Sequence, residues 1–352
     1  MPKTLKTNHG EISFPTFFPD ATRGVVKGGL DSRDLDQCQI EGLVINTMHL
    51  STENQKDMHT LMNWQKPLIT DSGGFQVMSL IHQNPKLGKL TDNEAIFIDE
   101  DHKRNVFTPE RSIELQLGLG ADILICLDDC TRPDADLAIQ EKSVERTINW
   151  AKRCKTYFDQ QTANLKNRPL LFAVVQGGEN KELRTKCAEE LSKLNFDGYC
   201  YGGFPVDLNK RFLTEILELV ASILPDDKPK YAMGVGTPQN IVDCFKMGYD
   251  MFDCVIPTRE ARHKKLYLLN NSLENLDLAQ EFYSTIYIQN STFKDASAPL
   301  SKFCDCLTCQ NYSKGYLHHL FKVKDMLALR LATIHNLRFY SMLMEALKKA
   351  SK

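Results

Sequence analysis

The chain has 352 residues, of which 42% are hydrophobic and 25% are charged, and its formal net charge is −2. These proportions are typical of a folded globular protein and exclude a low-complexity chain. No apolar run approaches the ~20 residues of a membrane span, and the first residues lack the apolar core of a signal peptide. Eleven cysteines, an odd number, indicate a reducing compartment without a disulfide framework. We therefore expect a cytoplasmic protein without membrane contact.

Eight short segments rich in β-branched and aromatic residues alternate with helical segments along the chain. The strands are predicted at residues 15–21, 42–48, 67–73, 123–130, 170–178, 198–204, 230–236 and 251–257. Two of the helices carry start signals, Asp31 as an N-cap and Pro109 at a first helical position. Eight strand–helix units predict a (β/α)8 TIM barrel of the α/β class. A doubly wound open sheet is the alternative, although its GxGxxG turn is missing.

Two segments, 77–107 and 266–316, are longer than ordinary barrel loops and are predicted to be insertions. A helix from about residue 324 to 349 follows the second insertion and is predicted to close the barrel. We therefore divide the chain into a barrel body, residues 1–258, and a C-terminal subdomain, residues 259–352, that includes this helix.

Polar residues gather at the predicted strand ends, which is where TIM-barrel enzymes carry their chemistry. The candidates in chain order are Asn46, Asp71, Phe75, Gln76, Asp128, Gln176, Gly203, Met233 and Asp253. Asp71 and Asp253 suit divided duties, in which one carboxylate attacks or stabilises a cationic sugar and the other moves protons. Asp128 and Gln176 offer an acceptor and an amide for the edge of a purine, on which Phe75 can stack. The structural alternative is that these carboxylates cap helices or pair with Arg259.

A metal site is predicted separately from these residues. Cys304, Cys306 and Cys309 form a CxCxxC motif, and His335 follows 26 residues later. Three thiolates and one imidazole make a closed tetrahedral zinc site of the structural type. His318 and His319 are rival ligands, and a chance cluster of buried cysteines is the alternative.

The charge of the chain is unevenly distributed. Residues 259–352 carry 14 Lys and Arg against 8 Asp and Glu, whereas residues 1–258 carry 29 against 37. Arg259, Arg262, Lys264 and Lys265 directly follow the last predicted strand. They are either a solvated basic turn or contacts to the phosphates of an anionic polymer.

The motifs together resemble those of the queuine/archaeosine tRNA-ribosyltransferase family, the tRNA-guanine transglycosylases. The resemblance extends from about residue 14 to residue 335 and is carried by Asn46-Thr47-Met48-His49-Leu50, Asp71-Ser72-Gly73-Gly74-Phe75-Gln76, Gln176-Gly177-Gly178, Met233-Gly234-Val235-Gly236, Phe252-Asp253-Cys254, Pro257-Thr258-Arg259 and the Cys3His spacing. It implies a TIM barrel with a zinc subdomain. It also implies exchange of guanine at the tRNA wobble position for a 7-deazaguanine base, in queuosine modification, and a homodimeric enzyme.

The resemblance implies a role for each candidate residue. Asp253 would be the nucleophile that forms a covalent ribosyl-enzyme, and Asp71 the general acid/base with Asn46 and Gln76 nearby. Asp128, Gln176, Gly203 and Met233 would surround the base, and Phe75 would stack on it. The basic residues of the C-terminal subdomain, Arg259, Arg262, Lys264 and Lys265, would contact tRNA.

The chain departs from the family pattern in three segments. Phe204-Pro205-Val206-Asp207-Leu208 replaces a small flexible run, residues 51–54 replace an Arg-Pro-Gly-like loop, and residues 260–265 are also divergent. Pro205 has no N–H and a fixed φ, so a peptide that flips to read the base is less available. The incoming base is therefore either 7-aminomethyl-7-deazaguanine, the bacterial substrate that we favour, or queuine.

Three other functions remain as alternatives. A non-catalytic tRNA-binding subunit of a heterodimeric transglycosylase should lack a catalytic carboxylate, whereas this chain has both Asp71 and Asp253. A barrel glycosidase would explain the carboxylates but not the zinc motif. A DNA-directed 7-deazaguanine transferase is the closest rival, because the same residues would serve it.

Overall fold

The structure is a computed structural model that describes residues 4–50, 57–83, 88–98 and 104–350. The divergent loop at residues 51–54 lies outside these described residues. Among them, no helix is both long and apolar enough to cross a bilayer.

Eight parallel strands form the centre of the fold. They are β3 (Thr16–Pro19), β4 (Leu43–Asn46), β5 (Leu68–Asp71), β9 (Ile123–Ile125), β10 (Leu170–Val175), β11 (Gly198–Tyr201), β12 (Lys230–Ala232) and β13 (Met251–Cys254). Their order around the sheet is β3-β13-β12-β11-β10-β9-β5-β4. All eight predicted strands are present, each shorter than predicted. The sheet closes between β3 and β4 through a parallel bridge from Asp20 to Val44, with Ala21 N donating to Val44 O at 2.7 Å. The predicted TIM barrel is therefore confirmed.

The helices on the outside of the barrel are α1 (Ser32–Gln37), α2 (Thr47–Leu50), α3 (Met58–Met62), α4 (Gly74–Gln83), α5 (Pro109–Gly118), α6 (Leu137–Thr162), α7 (Lys181–Ser192), α8 (Thr214–Ile223), α9 (Pro238–Met247), α10 (Ile256–Arg262) and α13 (Met326–Ala350). Asp31 caps α1 in a capping box, and Thr108 caps α5 ahead of Pro109, as their sequences predict. Each cap satisfies backbone N–H groups that a helix start leaves unpaired.

The prediction of a strand through residue 257 was wrong at its end. β13 stops at Cys254, and Pro257 lies in the first turn of α10. Proline has a fixed φ and no N–H to donate, which suits the first turn of a helix, where that N–H is unpaired in any case. Arg259 and Arg262 therefore belong to a helix, not to the basic turn of the structural alternative.

The alternation of side chains along the strands fixes the floor of the active site. Inward-facing residues of the strands, such as Phe18, Val44, Ile69, Val174 and Met251, form one buried apolar cluster inside the barrel. Because side chains alternate with a period of two, the residues two positions further along each strand also face inward, one layer higher. That upper layer consists of Asp20, Asn46, Asp71, Gln176, Gly202, Met233 and Asp253. A polar ring therefore sits directly on an apolar plug.

Both predicted insertions contain additional structure. The first holds a three-stranded antiparallel sheet, β6 (Gly88–Leu90), β7 (Ala95–Ile98) and β8 (Arg104–Phe107). The second holds the hairpin of β14 (Lys265–Leu269) and β15 (Tyr283–Tyr287), followed by α11 (Leu307–Asn311) and α12 (Lys314–Lys322). A further hairpin, β1 (Thr4–Thr7) and β2 (Gly10–Ser13), precedes the barrel and was not predicted.

Helix α13 joins the C-terminal segment to the barrel. Tyr340 donates its hydroxyl hydrogen to Gly236 O at 2.6 Å, and Asn336 Nδ2 donates to Pro257 O at 3.0 Å. A buried cluster combines residues such as Leu43 and Leu68 with Leu266, Leu331 and Leu337. The division at 258/259 remains a prediction, and residues on its two sides share this core.

Candidate active site

A cavity of about 400 Å³ opens at the carboxyl ends of the barrel strands. This volume is within the range of small-molecule and nucleobase sites. All nine candidate site residues from the barrel line it, namely Asn46, Asp71, Phe75, Gln76, Asp128, Gln176, Gly203, Met233 and Asp253. The apolar plug below supplies the floor through side chains such as Val44, Ile69 and Tyr231.

Asp71 is held by amide side chains at the end of β5. Asn46 Nδ2 donates to Asp71 Oδ2 at 2.9 Å, while Asn46 Oδ1 accepts from the backbone N–H groups of Met48 and His49. This backbone contact fixes which end of the Asn46 amide faces the carboxyl group. Burial raises the pKa of Asp71, and the hydrogen bonds from Gln76 and Asn46 oppose that rise only in part. Asp71 therefore has an increased proton affinity, which is what a proton-transfer group needs.

Asp253 lies at the end of β13, beside β3 and β12. Its Oδ1 accepts a hydrogen bond from Gly234 N at 3.0 Å. Burial is the largest cause that raises the pKa of Asp253 to about 6, with further contributions from the charges of Asp20 and Asp71. Arg259 is not its partner, since Arg259 Nε lies 3.7 Å from Glu260 Oε1. A carboxyl group with a pKa of about 6 is mostly ionised at neutral pH.

Asp128 and Gln176 form a second polar pair on the other half of the ring. Gln176 Nε2 donates to Asp128 Oδ2 at 2.7 Å, and Ser72 Oγ lies 3.4 Å from Asp128 Oδ1. Burial raises the pKa of Asp128 to about 7, with the charge of Asp71 adding to it. The pair presents both an acceptor and a donor to the cavity, which can recognise two neighbouring groups of a base edge.

Two glycines let the backbone approach this pair closely. A Cβ atom on Gly74 would lie 2.7 Å from Asp128 O, and one on Gly202 would lie 2.7 Å from Gln176 Nε2. Any side chain there would displace the polar pair. These positions require glycine for space, and neither has the positive φ that Gly203 shows (+85°).

Aromatic side chains stand at the mouth of the cavity. Phe75, at the start of α4, is 46% exposed, and its ring centroid lies 5.9 Å from that of Phe204 at an angle of 59°. An exposed phenyl ring on a cavity rim is a surface on which a base can stack. Met233 lines the cavity from β12's end and packs on the apolar plug.

The divergent segment after Gly203 is closed on itself. Pro205 O accepts from Leu213 N at 3.0 Å, and Asp207 N donates to Arg211 O at 2.9 Å. The Asp207 carboxylate accepts from Asn209 N and Arg211 N and pairs with Arg211 Nε at 2.7 Å. Its acidic group is therefore used within its own loop.

The structure brings a further carboxylate, Asp20, to the same cavity. Asp20 is not among the predicted site residues, because those were taken from the ends of strands two to eight and not from the first strand. The alternation of side chains along the first strand could have identified Asp20, since it lies two residues after the inward-facing Phe18. A fourth acidic group therefore lines the cavity together with Asp71, Asp128 and Asp253.

The predicted metal ligands converge at a second site. Sγ atoms of Cys304, Cys306 and Cys309 and a ring nitrogen of His335 all lie within 4.8 Å of one another. His335 Nδ1 is 3.6 Å from Cys306 Sγ and 3.3 Å from Cys309 Sγ. His335 Nε2 lies 2.8 Å from Tyr267 O, so Nε2 carries the hydrogen and Nδ1 presents its lone pair to the sulfurs.

These distances fit a tetrahedral ion. Metal–sulfur and metal–nitrogen bonds of ~2.3 and ~2.0 Å at a tetrahedral angle place S and N about 3.6 Å apart. The rival ligands His318 and His319 both lie on α12 and are not among the residues that converge here. The cluster can hold one metal ion.

The predicted tRNA contacts lie beside the cavity, on α10 and at the start of β14. Arg259 is 49% exposed on its side chain, and Lys265 Nζ lies 3.4 Å from Glu260 Oε2. Arg262 is partly buried, and within the described part of the chain its Nη1 has no hydrogen-bond partner. Lys264 has a left-handed backbone with φ of 71° at the turn between the two elements.

Comparison with known proteins agrees with this geometry. The family model described as queuine tRNA-ribosyltransferase matches residues 3–352. The chain belongs to this family. It is similar to the queuine tRNA-ribosyltransferase of Mannheimia succiniciproducens, with 40% identity over 99% of this chain and 88% of that protein. The proteins of the same name from Vibrio vulnificus and Caldanaerobacter subterraneus are 40% and 39% identical over 98% of this chain and 88% of their own lengths.

The matched family accounts for both features of this chain, the cavity lined by carboxylates and the Cys3His cluster. The matched region includes the whole barrel and the Cys3His cluster, so the resemblance read from the motifs is confirmed. The divergent segment after Gly203 lies within the matched region and is a property of this chain.

Proposed function

We propose that the protein is a tRNA-guanine transglycosylase, a pentosyltransferase that exchanges guanine at the tRNA wobble position for a 7-deazaguanine base. The observation that carries this proposal is one cavity in which Asp253 and Asp71 face Asp128 and Gln176. Two carboxylates suit substitution at a sugar carbon, and the carboxylate–amide pair suits a base edge. Family membership supports the same reaction.

In the first half of the reaction, Asp253 is the nucleophile. Its ionised carboxylate attacks C1′ of the guanosine, a C1′–O bond forms, and the C1′–N9 bond breaks. The electron pair of that bond leaves with guanine, to which Asp71 donates a proton. Asp71 suits proton transfer because its proton affinity is raised, and Asp253 suits nucleophilic attack because it is mostly ionised. The product is a ribosyl ester of Asp253 and free guanine.

In the second half, the incoming base reverses these steps. Asp71, now ionised, takes the proton from N9 of the 7-deazaguanine, and N9 attacks C1′. The ester bond to Asp253 breaks and its electron pair returns to the carboxylate. Two displacements at one carbon retain its configuration, as in retaining glycosidases. Asn46 and Gln76 would orient Asp71 throughout, since both bond its carboxyl group.

The base pocket is assigned to the other half of the ring. Asp128 and Gln176 would bind the edge of the base, with Gly203 leaving room for it, while Phe75 and Met233 would contact its two faces. The incoming base is 7-aminomethyl-7-deazaguanine or queuine. Asp207 pairs with Arg211 and is not among the residues that line the cavity, so we do not assign it as the counter-charge for a 7-amino group. The substrate can be assigned by measuring which of the two bases competes better with radiolabelled guanine for incorporation into tRNA.

We assign a structural zinc ion to Cys304, Cys306, Cys309 and His335, one per chain. The N–S distances and the orientation of His335 by Tyr267 O support zinc in a closed site. When bound, zinc would fasten the loop of Cys304–Cys309 to helix α13. The ion has no part in the chemistry at Asp253.

The tRNA is assigned to the basic end of the barrel. Arg259, Arg262, Lys264 and Lys265 follow the Asp253 strand, so phosphates bound there would bring the sugar over Asp253. Arg262 supports this assignment by its position on α10, about one turn from the half-exposed side chain of Arg259.

We further propose a homodimer in the cytoplasm. Exposed apolar side chains on α12 and its link to α13 support a subunit interface, with Tyr316, Val323 and Met326 exposed by 41%, 55% and 83%. All eleven cysteines are free thiols, which supports a reducing compartment. Light scattering of the purified protein gives the oligomeric state directly.

Covalent trapping tests the proposed reaction. Wild-type protein is incubated with an anticodon stem-loop RNA and 9-deazaguanine, denatured, and separated on a gel. We expect an RNA–protein adduct that Asp253→Asn does not form, since an amide is a poor nucleophile. Asp227→Asn is a matched control, because Asp227 is exposed in the loop before β12, at the opposite end of the barrel. Lack of an adduct in wild type, or its survival in Asp253→Asn, refutes the mechanism.

A further inference from the structure

Asp20 occupies a defined position among the catalytic groups. The strands β13, β3, β4 and β5 are consecutive around the barrel, since β13 pairs with β3, β3 bridges to β4, and β4 pairs with β5. Their inward residues in the upper layer are Asp253, Asp20, Asn46 and Asp71, in that order. Asp20 therefore stands between the nucleophile and the residues that orient the general acid/base.

The base-binding pair comes from different strands. Asp128 follows β9, Gln176 follows β10, and Gly203 follows β11. These three strands are also consecutive in the sheet, and they lie on the other side of the ring from β3. The cavity thus has one half that would hold the base and another that would hold the sugar, and Asp20 belongs to the sugar half.

The carboxylate of Asp20 is held in one orientation. Its Oδ1 accepts from Thr22 N at 2.6 Å and also from Thr22 Oγ1. Within the parts of the chain that the structure describes, Oδ2 has no hydrogen-bond partner. Asp20 lines the cavity, so this second oxygen is available as an acceptor there.

We propose that Asp20 Oδ2 accepts a hydrogen bond from the 2′-hydroxyl of the reacting nucleotide, and that this contact makes the enzyme specific for RNA. Inside a polynucleotide O3′ and O5′ are esterified, so the 2′-hydroxyl is the one ribose group that can donate to a carboxylate. It is also the group by which a protein distinguishes RNA from DNA. This inference rests on the proposed transglycosylase function and assigns a residue that distinguishes it from a DNA-directed enzyme.

The contact should act mainly in the transition state. Hydrogen bonds to the 2-hydroxyl of a sugar strengthen as positive charge develops at the anomeric carbon. A negatively charged acceptor one strand away from Asp253 also favours that charge. Loss of the contact should therefore lower kcat more than it raises KM.

The test is a double-mutant cycle in which one change is made in the protein and the other in the substrate. Wild type and Asp20→Ala are assayed for guanine exchange with an anticodon stem-loop RNA and with the same loop carrying 2′-deoxyguanosine at the wobble position. For wild type we expect kcat/KM to fall by roughly 10- to 100-fold on the deoxy substrate, the range for a hydrogen bond to a charged group. In Asp20→Ala the two substrates should react at nearly equal rates, because neither of them can make the contact.

The other outcomes overturn the inference. A merely structural role of Asp20 would lower the rate on both substrates by the same factor and leave their ratio unchanged. Equal use of both substrates by wild type would show that no residue reads the 2′-hydroxyl. Asp227→Asn should keep the wild-type ratio. Absence of any exchange by wild type on RNA would refute the proposed function itself, whereas exchange without discrimination refutes only the role of Asp20.

Discussion

Replacing Asp128 by asparagine should stabilise the protein while it impairs base binding. The carboxyl group is buried in the cavity wall beside Asp71, and its pKa is about 7. An ordinary aspartate titrates near ~3.9, so the folded state raises this pKa by about three units. Asparagine has nearly the same shape and keeps an oxygen that can accept from Gln176 Nε2, which now donates at 2.7 Å. The change therefore removes the buried charge with little change in packing.

The sign and size of the effect follow from proton linkage. Between pH ~4 and ~7 the folded protein holds a proton on Asp128 that the unfolded chain has released, so stability falls as pH rises through this window. Above pH ~7 the charged form costs up to about 4 kcal/mol, at ~1.4 kcal/mol per pKa unit. The stabilisation by Asp128→Asn should thus grow by about 3 kcal/mol between pH 5 and pH 8.

Urea unfolding at both pH values measures this difference. Trp64 and Trp150 are each 1% exposed, so their fluorescence reports the loss of the core. Asp129→Asn is the matched control. Asp129 is buried and paired with Arg146, whose other partner is the exposed Asp92, so loss of the buried carboxylate should destabilise by about 3 kcal/mol at both pH values. A stabilisation by Asp128→Asn that is no larger at pH 8 than at pH 5 would refute the raised pKa.

Three further predictions concern the proton affinity, the metal and the tRNA. For wild type, kcat/KM should rise as the pH passes through about 6, because Asp253 ionises there. The charge of Asp20 raises the pKa of Asp253, so Asp20→Asn should shift this rise in kcat/KM to lower pH. Cys306→Ser should prevent the binding of one zinc ion per chain, measured by atomic emission, and lower the midpoint of thermal unfolding by roughly 5–10 °C. The control Cys244→Ser should retain the metal. Arg262→Ala should weaken tRNA binding and reduce its salt dependence by about one phosphate contact, and an unchanged salt slope would exclude that contact.

The sequence predicted the barrel because hydrophobic periodicity and start signals agree along the chain. Parallel strands buried on both faces are short apolar runs, and the eight runs were found because helices with Asp31 and Thr108 caps separate them. The ends of the strands were less predictable. Hydrogen bonding stops at Cys254, but the apolar run continues to Pro257, since Val255 and Ile256 pack as the start of a helix. Composition alone does not separate these two uses of apolar residues.

The site shows a similar limit. Motifs supplied the residues whose identity is characteristic of the family, and these lie in one cavity. Asp20 belongs to no motif in the sequence, and its importance depends on the pairing of β3 with both β13 and β4, which is a long-range contact. The engagement of Asp207 by Arg211 was equally invisible, because an acidic residue near a pocket gives no sign of which way it faces.

The Cys3His cluster and Asp253 are connected through neighbouring residues of α13. His335 binds Tyr267 O through Nε2 at 2.8 Å, and the next residue, Asn336, accepts from Tyr267 N at 3.1 Å. Asn336 also donates to Pro257 O, in the first turn of the helix that directly follows Asp253. A metal that fixes His335 therefore fixes the position of α10 relative to β14 through hydrogen bonds alone. Attack at C1′ requires a defined position of Asp253, and in our proposal the tRNA phosphates bind α10. A metal ion at this cluster would therefore support catalysis by orienting α10, without taking part in the chemistry.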